Sequence, residues 1–455
     1  MIVLRNRNNL AFDNRIQSIT IIVMLMISLL ILVRDIAGVS MSRYVFIGLA
    51  IILFALTKKK DIFCFMAFIT PLCSGISYTY ITIVALLFLI IKHQKLNFNY
   101  LGGCCIFSIL LIELLSAFMV EFSLPEYVRF AGVLCLAYGR MIDKGDDYDD
   151  EGMIRCFLAG LIVAMMSIWG QMLGTYSFST ILTLGDRALR FGNTREALDI
   201  TDEGMRIFFN PNGLGNLCII ALLFCLILGY QKRKTIYYVL FLLFSFQGLM
   251  TQSRAFIIVY VLVVAAFFIL VSKSLKSVMR GSLIAGFITI AAYFIGNKFF
   301  ASYIDAIYIR FHVIDITNGR TSLWGEYFNK WLQSTWRVFF GSGLQNYPEK
   351  YGMQLASHNS VQEILITWGI IGFIFVVLLI GVVLITAKLK RPSMMMIQMI
   401  PFLAYLVLTM SGQGFSDTSG LLRLMVSYSA MMLVLDNKMK RRSWIDVHGD
   451  AKQDV

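Results

Sequence analysis

An all-α polytopic membrane protein is the fold class this sequence predicts, and three observations predict it. Of its 455 residues, 58% are hydrophobic, against about 45–50% in soluble domains, and the mean hydropathy is +0.74. The apolar residues gather into runs long enough to cross a bilayer. Lys and Arg cluster at the ends of those runs, as the positive-inside rule requires. That placement accounts for the net charge of +13 without a nucleic-acid partner, and none is expected.

Taken in order, apolar runs near 17–33, 42–57, 62–75, 78–92, 99–119, 126–142, 152–174, 213–230, 236–250, 253–271, 281–296, 361–385, 395–412 and 419–435 give about fourteen transmembrane helices. The first has basic flanks but no small-residue cleavage site, so it reads as a span rather than a signal peptide. Pro71 leaves open whether 62–92 is one bent span or two. With the N-terminus inside, the clusters at Lys58 to Lys60, Lys92 and Lys95, Lys232 to Lys234, Lys273 to Arg280, Lys388 to Arg391 and Lys438 to Arg442 all fall in the cytoplasm, as does the C-terminus. The acidic stretch Asp146 to Glu151 also falls inside, which the charge rule does not explain. Residues 1–442 form one transmembrane domain, and 443–455 a short cytoplasmic tail. The eight cysteines lie in or beside apolar runs without a CxxC pair, so neither a disulfide framework nor a zinc or other metal site is expected.

Two large loops then face outward, 175–212 and 297–360. In the second, Leu323, Trp324, Tyr327, Phe328, Trp331 and Leu332 mark one face of a helix, which either lies along the outer membrane boundary or packs on the bundle. The outer loops use arginine: Arg187, Arg190, Arg195, Arg206, Arg310, Arg320 and Arg337, with Arg254 at a span edge. Guanidinium groups hold phosphates bidentately and stay charged at any working pH. Arg187, Arg190 and Arg195 read best as surface charges paired with Asp186, Glu196, Asp199, Asp202 and Glu203. Arg254 stands in the polar break Thr251-Gln252-Ser253-Arg254 between two apolar runs, where an ionisable residue is costly and either functional or snorkelling. Arg320, in Asn318-Gly319-Arg320-Thr321, opens the amphipathic helix, where backbone N–H groups add to an anion site.

His358 is one of four histidines and the one placed where a large outer loop meets a span, beside Asn359 and Ser360. Imidazole is the side chain suited to take a proton near neutral pH, although an isolated histidine is more often structural. Asn210-Pro211-Asn212-Gly213 is a helix entry that needs no further function. Glu113 and Arg423 fall within apolar runs, and Glu113 requires a partner inside the bundle.

In their order and on the outer face, four stretches resemble the O-antigen polymerase and O-antigen ligase superfamily. These are Arg206 with Phe208-Phe209-Asn210-Pro211-Asn212; Ser253-Arg254; Gly319-Arg320 ahead of Trp324; and Gly341-Ser342-Gly343 followed by His358-Asn359, Gly369 and Gly372. The likeness covers roughly residues 150–412, and the first five spans match only in hydropathy. It implies a GT-C-like membrane glycosyltransferase of the bacterial inner (cytoplasmic) membrane that inverts configuration, uses no metal or cofactor, and works on the extracytoplasmic side. Its substrates would be undecaprenyl-pyrophosphate-linked oligosaccharides as donor and acceptor, with membrane lipid around it and a chain-length regulator among the partners it allows. Carried over by position, Arg254 and Arg320 hold the pyrophosphate and His358 orients or deprotonates the attacking sugar hydroxyl. Arg206, Asn210 and Asn359 are substrate-binding or structural. About fourteen spans favour a polymerase over a ligase, which passes the chain to lipid A-core or another acceptor. A polysaccharide transporter or flippase is the rival class; it calls for matching halves and polar residues at mid-membrane, and neither is found.

Overall fold

The computed structural model describes residues 17–92, 97–117, 122–145, 147–183, 191, 206–272, 298, 301–312, 319–410 and 418–434. The expected span at 281–296, the tail 443–455 and Arg187, Arg190 and Arg195 with their acidic neighbours lie outside the described residues, as does the side chain of Arg310. Among the described residues the secondary structure is helical, apart from an isolated bridge between Phe98 and Asp143.

The helices run α1 (Ser18–Ala37), α2 (Tyr44–Leu56), α3 (Lys59–Ile69, continued by the 3-10 turn Thr70–Gly75), α4 (Tyr78–Ile91), α5 (Tyr100–Ala117), α6 (Leu124–Ile142), α7 (Asp150–Thr175), α8 (Phe178–Thr183) and α9 (Pro211–Lys232). They continue with α10 (Thr235–Met250), α11 (Arg254–Val271), α12 (Ala301–Phe311), α13 (Arg320–Leu332), α14 (Thr335–Phe340), α15 (Tyr347–Lys350), α16 (Ser360–Lys390), α17 (Met396–Thr409) and α18 (Thr418–Met432). Five of them, α1, α7, α9, α11 and α16, are long and apolar enough to cross a membrane. The architecture is that of an all-α membrane protein. At its centre α9 is buried along nearly all of its length from Leu214 to Gly229. A helix apolar on every side belongs at such a position.

The region around Pro71 is two antiparallel helices. Pro71 lies in the 3-10 turn that ends α3, and Lys92 at the end of α4 donates to the carbonyls of Phe54 and Thr57 at 2.6 Å. The chain therefore returns to the face on which α3 began.

That face collects the basic ends of the helices, and the acidic stretch joins them. Lys59 Nζ donates to Asp143 at 2.7 Å, Arg140 pairs with Asp150 at 2.5 Å, and Lys232 pairs with Glu151 at 2.9 Å. Lys390 donates to the carbonyls of Asp143 and Gly145 at 2.9 and 2.6 Å, while Asp149 caps α7 by accepting from Gly152 N at 2.8 Å. Two carboxylates that the charge rule leaves unexplained, Asp150 and Glu151, thus pair with the ends of α6 and α9, while Asp143 beside them takes the start of α3. Lys59, Asp143 and Arg140 are buried in these pairs, so removing the partner of any of them strands a charge.

At the opposite face lie the C-terminal ends of α1 and α7 and the N-terminal ends of α4, α9, α11, α16 and α18. Tyr78 and Thr418 share a hydrogen bond between their hydroxyls there, and Phe208 N donates to Ser74 Oγ at 3.2 Å. A subdomain of α13, α14 and α15 is built on this face around a small core of Tyr327, Trp331, Tyr347, Tyr351 and Met353 against Ile366 of α16. The amphipathic helix α13 thus packs one half of its apolar face, Tyr327 and Trp331, on the bundle and leaves the other half, Phe328 and Leu332, about half exposed.

Candidate active site

Arg254 is the first residue of α11, and the turn before it is rigid. Thr251, Gln252 and Ser253 are buried; Thr251 Oγ1 donates to Gly248 O at 2.6 Å, Gln252 N to Leu249 O at 2.9 Å, and Ser253 caps the helix by accepting from Phe256 N at 3.4 Å. Gln252 adopts φ 50°, a left-handed conformation uncommon for a side chain of its size and maintained only where the surroundings fix it. The polar break in the sequence is therefore a tight buried turn that aims Arg254.

Arg320 opens α13 behind Gly319, whose φ of 76° is the conformation glycine supplies without a Cβ penalty. One turn later Trp324 fixes the helix to the His358 segment: its indole Nε1 donates to Ser357 O at 2.7 Å, and its carbonyl accepts from Gln362 Nε2 at 2.7 Å. This double clamp gives a physical reason for a Gly-Arg followed by a Trp, because it holds Arg320 against the junction that carries His358.

His358 has φ 52° and is fixed on both sides. Ser357 N donates to Tyr347 Oη at 3.1 Å, and Asn359 caps α16 by accepting from Val361 N and Gln362 N at 3.0 and 3.1 Å. Burial, and next the Arg320 charge, lower the His358 pKa below its ordinary value. Burial, and next the Arg254 charge, lower that of Arg320. Arg320 thus lies within electrostatic reach of both Arg254 and His358, although the three come from segments more than 30 residues apart. The N-termini of α11, α13 and α16 each start at one of these residues or within two of it, and helix N-termini present free N–H groups and positive dipole ends. The chemistry available is that of an anion site beside a neutral imidazole.

The support beneath His358 was less legible in the sequence. Helix α16 is broken at Gly369, with φ 65° and ψ −170°. The carbonyls released by the break are taken by the Gly341-Ser342-Gly343 loop: Ser342 N donates to Ile366 O at 3.0 Å and Gly343 N to Thr367 O at 2.8 Å. Backbone meets backbone at this junction, and a Cβ on Gly341 or Gly369 would overlap the main chain opposite, at Thr367 and Phe339 respectively. Glu113 has the bundle partners its burial requires: it accepts from Trp368 Nε1 at 2.7 Å and from Leu344 N at 3.0 Å, tying α5 to the same junction.

Asn210 is a cap for α9, accepting from Asn212 N at 3.0 Å. Arg206 stands at the C-terminal end of α1, its guanidinium beside Gly38. Arg337 turns into the subdomain of α13 to α15, over the Tyr351 ring and donating to Lys350 O at 3.3 Å, so it supports these helices from within. The pair Arg34 and Asp35, buried near the end of α1, was passed over in the sequence, where the only signal was two adjacent charges closing an apolar run.

A protein-family profile described as O-Antigen ligase matches residues 238–377, a range that contains Arg254, Arg320, the Gly341-Ser342-Gly343 loop, His358 and the Gly369 break. Comparison with curated proteins returned no match.

Proposed function

We propose, from the premise that this chain carries an O-antigen ligase family domain and so falls in the O-antigen ligase and polymerase superfamily, that it is a surface-polysaccharide polymerase of the bacterial cytoplasmic membrane. It transfers an undecaprenyl-pyrophosphate-linked glycan to a sugar hydroxyl of the next lipid-linked repeat unit, with inversion. The observation that carries the reading is the electrostatic link of Arg320 to both Arg254 and His358 at three helix N-termini.

In this mechanism Arg254 and Arg320 bind the pyrophosphate. His358, held neutral, accepts the proton of the attacking hydroxyl as that oxygen bonds to the anomeric carbon. The bond from the anomeric carbon to the pyrophosphate oxygen breaks, and its electrons leave with undecaprenyl pyrophosphate. Charge on that leaving group grows in the transition state, so fixed guanidinium groups and N–H dipoles stabilise the transition state more than the ground state. The basic face lies in the cytoplasm by the positive-inside rule, which puts the site on the outer side with the lipid-linked donor.

The family description itself favours a second reading, a ligase that passes the finished chain to lipid A-core or another acceptor. Surface glycan from a strain lacking the gene separates the two on a gel. A polymerase leaves single repeats on the acceptor, and the wild-type gene restores the ladder. A ligase leaves the acceptor bare while lipid-linked chains accumulate. A ladder that persists at full strength in the deletion strain rules out both.

A further inference from the structure

We propose, resting on the glycosyl-transfer reading above, that the buried pair Arg34 and Asp35 is a positioning element of the site: it anchors the extended segment 206–209 and so sets where Arg206 stands beside the lipid-linked donor. Both residues lie in the last turn of α1, are about 3% exposed or less, and precede the stretch matched to the family by some 200 residues.

The anchor can be followed atom by atom. Arg34 Nε donates to Asp35 Oδ1 at 2.6 Å and Arg34 Nη1 to Gly75 O at 2.5 Å, which fixes the carboxylate against the turn between α3 and α4. Asp35 Oδ2 then accepts from Ser167 Oγ at 2.5 Å and from Ile207 N at 3.1 Å. The other side of the same residue is held by Gln171, whose Nε2 donates to Ile207 O at 3.0 Å and to Ser167 Oγ at 3.0 Å. Phe208 N is taken by Ser74. Ile207 is fully buried, and the polar atoms of its backbone are fixed by side chains of α1 and α7. Backbone this far from any helix or sheet ladder must find side-chain partners when buried.

Arg206 precedes this clamped residue directly, and Asn210, the cap of α9, follows three residues later. The segment is therefore immobile at its centre. A local packing role alone would not require a carboxylate shared between a buried guanidinium and a loop amide; a hydrophobic contact would hold α1 to α7 at less desolvation cost. The carboxylate supplies direction, orienting the peptide of Ile207 and with it the Cα–Cβ vector of Arg206.

The test is the double variant Arg34→Met with Asp35→Ala in the full-length protein in nanodiscs, which removes both buried charges together. Hydrogen exchange of residues 206–209 is expected to accelerate about tenfold or more while α9 is unchanged. The KM for a lipid-linked repeat-unit donor rises about tenfold with kcat within about threefold, the pattern of lost donor binding rather than lost chemistry. Gln171→Leu, which releases Ile207 O without burying a charge, gives the same direction and serves if the double variant does not fold. A folded variant with unchanged exchange at 206–209, or with faster exchange and an unchanged donor KM, overturns the anchor. A wild-type protein that extends no lipid-linked repeat refutes the polymerase reading on which the donor KM rests, so the two failures are distinguishable.

Discussion

Replacing Glu113 by Leu tests how the α16 break is held. Glu113 is 3% exposed and accepts from the buried Trp368 Nε1 at 2.7 Å and from the part-buried Leu344 N at 3.0 Å. Leucine fills much the same volume but accepts from neither. Each donor left unsatisfied costs about 1–3 kcal/mol, so the variant loses about 2–6 kcal/mol of stability. Glu113→Gln keeps one amide oxygen, which in the place of Oε2 can accept from both donors as that oxygen does, and so loses less than the Leu variant. The ordering, wild type above Gln above Leu, is read from unfolding midpoints in a mixed-detergent titration. Because Trp368 adjoins the Gly369 break, the Leu variant also exchanges faster at 341–344. A Leu variant as stable as the wild type would refute the reasoning, since it would mean that the two donors find other partners or that burying the carboxylate costs as much as its bonds return.

Asn359→Ala removes the cap of α16 and lowers stability by about 1 kcal/mol; Asn359→Ser, which can cap, restores most of it in the same titration. Gly369→Ala places a methyl against the Phe339 carbonyl at a φ that alanine adopts only with strain, and is expected to yield little folded protein by size-exclusion chromatography; wild-type yield would mean that the break relaxes. Because His358 is held below the ordinary imidazole value of about 6.5, kcat/KM for chain extension should rise with pH through a pKa below about 6.5 and stay level above it. Stability carries the same sign. Above about 6.5 the imidazole is neutral folded and unfolded and contributes nothing, whereas below it the unfolded chain takes the proton first, so stability falls until the folded pKa is passed. An inflection above pH 7 that disappears in His358→Gln would contradict this.

The all-α membrane class and the polar junctions were legible in the sequence because apolar run length, basic flanks and short polar breaks are local signals. The turn 251–254 is of this kind, since it is closed by residues within a few positions. What could not be read is carried by contacts across hundreds of residues. Glu113 announces only that it needs a partner, and nothing in its neighbourhood specifies an indole and an amide more than 200 residues on. The acidic stretch around Asp150 looks misplaced until Lys232 arrives from α9 to pair with Glu151. The break at Gly369 sits inside an apolar run that periodicity reads as continuous helix, and it is the Gly341-Ser342-Gly343 loop that makes the break affordable by taking the released carbonyls. Asn210 and Asn359, which the sequence left between substrate binding and structure, both act as helix caps.

The measurement that bears most directly on the central claim is chain extension by the purified protein in nanodiscs, supplied with a defined undecaprenyl-pyrophosphate-linked repeat unit, comparing the wild type with His358→Ala and with Arg320→Gln at equal folded amounts. The account predicts that the wild type alone builds a ladder and that His358→Ala falls by about 10²–10⁴-fold, the usual contribution of a general base. It predicts that Arg320→Gln loses about tenfold or more in kcat/KM, as one charge-assisted contact to the pyrophosphate is removed. Extension at the wild-type rate by either folded variant would contradict it.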